Sequence, residues 1–406
     1  MMTLRINKCG SGLWEKCLIF LCMFYTFFVS ASNRLPSGTK VALVLSILVL
    51  SGYSFTKDKR LYRRDFIVFM GIFLICLLNC LIFNVEFSEY VRAFLFCFIP
   101  MILVGGIIDI KSNYKFIYAV SCVYLAFLSF YMVMGYARSS TVYSDYIDYL
   151  GFAYYAIPSL LIIINYYFTT RSKLAIIFMI LGVFYLVICG TRGPVLCTFV
   201  FLLYCVVREW KKWKIKRKVF ILVLFFGGII LLMNMRSVAL IFYPIFQKNG
   251  FSTRFFLFFL NKLDITDLTG RGALRNTVVQ SIKQHFLFGS GIMGDRVLFG
   301  GGEKGYSHNL VLEVLNSFGV PLGLVLLSLL LGLIAVSFVK TKSKIYREFI
   351  AIYTDAAIVK LLFSASFMQE STLFLLIGIC LAGLRANADK PIESSSQLVT
   401  NFNYLQ

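Results

Sequence analysis

Charge is what this chain has least of. Only 15% of its 406 residues are Asp, Glu, Lys or Arg, and 19 of those are acidic against 40 basic. A soluble domain is charged at about one residue in four, so a water-facing fold of this size would expose far too much apolar surface. Nucleotide signatures are also lacking. There is no P-loop, no GxGxxG opening a helix, no HExxH and no GxSxG. An ATP-driven pump or a cytosolic nucleotide-sugar enzyme is therefore not expected. No CxxC pair or Cys/His cluster with zinc spacing occurs, so neither a metal nor a cofactor is expected. No soluble basic domain is visible, which argues against a nucleic-acid partner. No tandem repeat is evident.

What the chain does have is apolar length. It is 59% hydrophobic, with a mean hydropathy of +0.82. Ten of its eleven cysteines, Cys17 to Cys380, lie in apolar segments and read as small hydrophobes. Runs long enough, or nearly so, to cross a bilayer follow one another. They are Cys17–Ser30, Thr39–Phe55, Phe66–Asn84, Arg92–Ile110, Phe116–Gly135, Tyr149–Phe168, Leu174–Gly190, Pro194–Val207, Val219–Met235, Phe318–Val339, Phe349–Ser364 and Thr372–Arg385. The first has the length of a signal peptide, but the topology works with it retained as a helix. With the N-terminus inside, the basic clusters Lys57–Asp65, Arg208–Lys218 and Lys340–Glu348 all fall on one face, as the positive-inside rule requires. The expected fold is all-α and polytopic, with about twelve transmembrane helices and both termini cytoplasmic. Its parts are an N-terminal bundle (1–235), a large outer loop subdomain containing helix (236–307), a C-terminal set of helices (308–386) and a short tail (387–406). A second outer loop, Tyr136–Asp148, is rich in Ser, Tyr and Asp. It suits either sugar contact or plain solvation.

Several residues stand out as chemistry. A helix over Ala273–Phe286 puts Leu274, Val278, Val279, Ile282 and Phe286 on one stripe. Extended back one turn, it carries Arg271 and Arg275 into that stripe. Two guanidiniums on a buried face repel unless an anion lies between them, and phosphate fits the planar fork. The plain alternative is that both snorkel to water or headgroups. His308 follows Ser307 where the outer loop re-enters the bilayer. Ser307 is placed to cap a helix starting at His308, with Asn309 beside the imidazole and a Gly319/Pro321 break after it. A histidine there either takes a proton from a hydroxyl or simply hydrogen-bonds at the interface. Arg192 sits in the tight outer turn CGTRGPVL, as a ligand or as a snorkelling cation. Glu313 and Glu370 each start a membrane-entering segment, where an acid is expensive or functional. His285 reads as structural.

Taken in order, these motifs resemble the O-antigen polymerase and O-antigen ligase superfamily. TRGPVL (Thr191–Leu196) is similar to its SRG turn. GRGALRNTVVQSIKQHFLFGSG is similar to its GR…W…A…I…HPLxGxG stretch, and SHNLVLEVLNSFGVPLG to its HN…L…L…G…G segment. The chain departs at Phe286, where the family has Pro, at Arg275, where it often has Trp, and in the position of Gly323. The resemblance implies a GT-C-like fold in the bacterial inner membrane. It also implies a metal-independent, inverting glycosyl transfer at the periplasmic face, from a glycan on undecaprenyl pyrophosphate. Carried over by motif, Arg192 and Arg271 would hold the pyrophosphate, and His308 would activate or position the acceptor hydroxyl. By their positions rather than by the resemblance, Arg275, Asn309, Glu313 and Glu370 are expected to line the substrate. Membrane lipids, and a chain-length regulator, are the further partners implied. The Phe-, Tyr- and Ile-rich chain with its imperfect motifs favours the divergent polymerase branch over the ligase. A secondary transporter or glycolipid flippase is the rival of another class, for which Lys360, a charge deep in an apolar run, is the one visible sign.

Overall fold

The computed structural model describes residues 12–31, 45–49, 63–83, 87–138, 149–216, 218–219, 223, 230, 234–248, 256, 259–260, 271–299 and 307–386. Among them all regular structure is helical. The elements are α1 (Leu13–Ala31), α2 (Arg63–Ile82), α3 (Phe87–Ala93) running through a π turn (Phe94–Phe98) into α4 (Ile99–Ile107), α5 (Ile110–Arg138), α6 (Tyr149–Thr170), α7 (Lys173–Cys189) and α8 (Arg192–Glu209). Then come α9 (Met235–Lys248), α10 (Arg271–Gln284), α11 (Gly294–Leu298), α12 (Leu310–Phe318), α13 (Val320–Lys340), α14 (Lys344–Thr354), a π turn (Asp355–Val359), α15 (Lys360–Phe363) and α16 (Ser371–Arg385).

Among the described residues five stretches are long and apolar enough to cross a membrane: Tyr90–Ile107, Ile110–Met132, Gly151–Thr170, Arg192–Lys212 and Val320–Lys340. Three shorter apolar helices, Ile67–Ile82, Lys173–Cys189 and Ser371–Arg385, join them. The expected spans Thr39–Phe55 and Val219–Met235 lie mostly outside the described residues, as do most of the Tyr136–Asp148 loop, the Lys57–Asp65 cluster and the tail.

The helices pack as a bundle with a buried polar network at one end. There Arg208 meets Glu348 at 3.4 Å and bonds the Asn165 side-chain oxygen at 2.8 Å. Asn165 in turn donates to Glu348 at 3.0 Å, and Lys344 approaches the same carboxylate at 3.7 Å. The basic clusters that begin at Arg208 and Lys340 therefore share one end of the molecule, as topology demands. Glu348 is buried, so these cations and the amide are what make its charge tolerable. At the same end Glu15 accepts the Asp109 backbone N–H at 2.7 Å, and Arg385 bonds the Gly106 carbonyl.

Small residues set the closest helix crossing. A side chain at Gly378 would run into the Ile102 carbonyl and the Gly106 backbone, and one at Gly105 would meet the Leu375 carbonyl. α4 and α16 thus touch backbone to backbone, the approach that small residues permit in membrane helices.

Candidate functional site

The end opposite the basic clusters is built by three chain segments that the sequence places far apart. The first is the turn into α8. Gly190 closes α7 with φ 66°, and Thr191 is extended ahead of Arg192, the first residue of α8. A left-handed residue that ends a helix is most cheaply a glycine. Arg192 is exposed. Behind it, Gly193 lies so close to the Tyr154 hydroxyl that any side chain would collide with it. Tyr154 presents its ring to Lys360, whose Nζ stands 5.1 Å from the centroid.

The second segment is the interrupted helix near the C-terminus. The apolar run Phe349–Ser364 reads as one helix, and the structure interrupts it once before it ends where expected. A π turn covers Asp355–Val359, and α15 stops at Phe363, leaving Ser364 to Glu370 outside α-helix. π turns inside helices gather at functional sites. Across this break Lys360 pairs with Glu370, and both are buried. Glu370 also caps α16, accepting the Thr372 N–H at 3.3 Å. Asp355 is buried too, and neither carboxylate oxygen has a hydrogen-bond partner among the described residues.

The third segment runs from α10 to α12. The helix is Arg271–Gln284 rather than Ala273–Phe286, because the chain turns at His285–Phe288 to bring Gly289 against α12. Gly289 (φ 76°) and Gly319 (φ 77°) interlock here. A side chain at Gly289 would strike the Gly319 nitrogen, and one at Gly319 the Leu287 carbonyl. Backbone bonds fasten the junction: Ser290 N to Asn316 O at 2.7 Å, Gly291 N to Ser317 O at 3.2 Å and Val320 N to Phe286 O at 2.8 Å. Asn79 of α2 bridges both strands of it, donating to Ser317 O at 3.0 Å and accepting Ile292 N at 2.7 Å.

Two expectations are corrected by this geometry. Arg275 is exposed, not buried in the apolar stripe, and Phe286 leaves the stripe because the helix has already ended. The stripe that packs is Val278 with Ser281, both buried. Nor does Ser307 cap a helix at His308. The helix begins at Leu310, and Asn309 is its cap, accepting the Leu312 N–H at 3.1 Å. His308 takes a left-handed backbone, φ 52°. That conformation is uncommon for a residue with a side chain, and such strained positions gather at active sites and ligand clamps. The Asp295 carboxylate holds it in place by accepting the Ser307 N–H at 2.8 Å.

The second and third segments are then stitched together. Asn309 donates to the Leu362 carbonyl at 3.2 Å. Glu313 accepts the Ser366 hydroxyl and the Phe367 N–H, the latter at 3.0 Å. Of the residues the sequence singles out, Asn309, Glu313 and Glu370 therefore meet directly on the broken helix, and the Arg192 turn joins them through Tyr154 and Lys360. Arg275 is not drawn in. Arg271 opens α10, with its side chain outside the described residues. His285 is exposed. Lys360 belongs to the site, although in the sequence it reads as a sign of transport. Asp295 and Tyr154 went unselected because neither lies in a motif; only tertiary hydrogen bonds and packing reveal them.

Glu313 has an unusual environment. It lies in α12, ahead of the spanning α13, and burial together with the nearby Asp295 carboxylate pushes its pKa up to about 8. Burial raises that of Asp295 as well. A carboxyl whose folded pKa is raised gives stability that is complete below its ordinary value, about 4.3, and is lost as pH climbs through the folded one. The detergent-solubilised protein is therefore expected to lose thermal stability progressively as pH rises from about 4.3 to about 8, with little further loss above that. Glu313→Gln keeps an acceptor for Phe367 N–H and turns an amide donor toward Ser366. Its melting temperature should fall less over the same range. Parallel pH profiles for the two proteins would contradict this.

Among the described residues no group of His, Cys, Asp or Glu is arranged to hold a metal ion. The comparison with curated proteins gives no match. Residues 174–328 match the O-antigen ligase family model, a stretch that holds the Arg192 turn, α10 and the His308 segment. That match, over somewhat more than a third of the chain, supports the resemblance to the superfamily of O-antigen ligases and polymerases.

Proposed function

We propose that this protein is an O-antigen polymerase, joining oligosaccharide repeat units carried on undecaprenyl pyrophosphate at the periplasmic face of the inner membrane. The observation that carries this reading is the ordered set Arg192, Arg271 and His308 inside the segment that matches the family, at the end of the bundle opposite the basic clusters. With those clusters cytoplasmic, both termini are cytoplasmic and the site faces the periplasm.

In the reaction the acceptor hydroxyl oxygen attacks the anomeric carbon of the donor from the face opposite the leaving group. The bond from that carbon to the pyrophosphate oxygen breaks, and the anomeric configuration inverts. His308 takes the hydroxyl proton. Arg192 and Arg271 hold the pyrophosphate, where negative charge develops as the sugar departs. Fixed cations aimed at developing charge are the largest common source of rate enhancement. The step needs no metal when guanidiniums supply the positive charge. Asn309, Glu313 and Glu370 keep the His308 segment and the broken helix in register.

A ligase acting on lipid A–core would use the same groups, so the acceptor decides between them. A deletion strain reads this out directly. Loss of a polymerase leaves single repeat units on lipid A–core. Loss of a ligase leaves none there, with polymer accumulating on the lipid carrier, and that ladder would overturn the polymerase assignment. The transport reading draws on Asp355, Lys360 and Glu370, buried along one broken helix. Purified protein that forms polymer from lipid-linked units excludes it.

A further inference from the structure

The turn between α10 and the glycine junction exposes three consecutive large apolar side chains: Phe286 at 51%, Leu287 at 60% and Phe288 at 76%. Outside a membrane this arrangement is a liability, since exposed apolar patches mark interaction or aggregation sites. Its position is fixed. The Phe286 carbonyl accepts the N–H of Val320, the first residue of α13, at 2.8 Å, and Gly319 packs on the Leu287 carbonyl. α13 has a mean hydropathy of 2.8, with 11% of its span buried inside the bundle; one face, with Leu327, Leu330 and Ile334, packs on the core, and the other is an exposed apolar surface for lipid. Leu322, Leu324 and Val325, in its first turns, are exposed. The apolar corner therefore continues the lipid-facing surface of a spanning helix past its outer end.

We propose that Phe286, Leu287 and Phe288 insert into the outward-facing leaflet and dock the outer-loop helix α10 onto the bilayer. The occupant of this surface is lipid acyl chain. Aromatic and leucine side chains at the edge of a membrane partition favourably by burying their apolar bodies among the chains. The inference is independent of which glycan reaction the protein performs.

The test uses the full-length protein in nanodiscs of phosphatidylcholine and phosphatidylglycerol, with and without brominated acyl chains. Phe288→Trp and Leu287→Trp are compared with Lys283→Trp, an exposed position on the same loop helix. The native Trp14, Trp210 and Trp213 are common to all variants, so difference emission against the parent protein reports the new indole. Trp at 288 or 287 should be quenched by the brominated chains and be severalfold less sensitive to iodide than Trp at 283. If one corner variant fails to fold, the other carries the reading. Iodide quenching equal to that of Lys283→Trp, or no quenching by brominated chains, overturns the proposal.

Discussion

His308→Ala should cut polymer formation by about 10²–10⁴-fold, the usual worth of a positioned acid–base group, while lipid-linked donor still binds. Arg192→Ala should cost about 10²–10³-fold, as removal of one group that stabilises developing charge does elsewhere. The two losses should differ in kind. In the proposed reaction the histidine acts on the acceptor proton, so its loss should bring a changed pH–rate profile. The proposed role of the arginine is on the leaving group, so its loss should weaken competition by free undecaprenyl pyrophosphate. Rates are read with purified protein and a defined lipid-linked repeat unit. Neither variant is expected to unfold. Arg192 is exposed, and the backbone around His308 is held by Asp295 at Ser307 and by the Asn309 cap. Wild-type turnover by either variant would remove that residue from the chemistry.

The largest stability effect is expected at Lys360. It pairs with Glu370 across the gap between α15 and α16, both side chains buried. Lys360→Ala leaves a buried carboxylate without its partner, and breaking a buried pair in this way costs about 3–5 kcal/mol. Replacing both, as Lys360→Met with Glu370→Gln, removes the stranded charge and should recover most of the loss. Glutamine at 370 keeps an oxygen for the Thr372 N–H, so the cap on α16 survives. Thermal unfolding in detergent measures the cycle. A double variant no better than Lys360→Ala alone would mean that the pair is not what stabilises the break. Activity should recover less than stability, because Lys360 also rests on Tyr154 and so on the turn that carries Arg192.

Much of the bundle was legible from apolar run length and its punctuation. The expected starts at Tyr149, Leu174, Pro194 and Thr372 fall within two residues of α6, α7, α8 and α16, because glycine, a basic residue or a polar cap marks each boundary. The gap between the runs ending at Ser364 and starting at Thr372 was legible, and the structure leaves Ser364–Glu370 outside α-helix. What was not legible is the tie that holds it, Glu313, more than fifty residues away. The π turn at Asp355 leaves no local signature either. The corner at Phe286 reads as helix by periodicity, whereas the tight approach of Gly289 and Gly319 dictates a turn. In the site, residue types and order were readable. The pairings of Lys360 with Glu370 and of Asp295 with Ser307 were not, since each depends on tertiary packing.

In the proposed function, cations at the periplasmic end grip a pyrophosphate. Equilibrium binding of undecaprenyl pyrophosphate in nanodiscs tests it most directly, with undecaprenol as the control lipid. The wild type should prefer the pyrophosphate strongly, Arg192→Ala and Arg271→Ala should each lose most of that preference, and His308→Ala should keep it. Equal affinity for the two lipids, or a preference that survives replacement of both arginines, would contradict it.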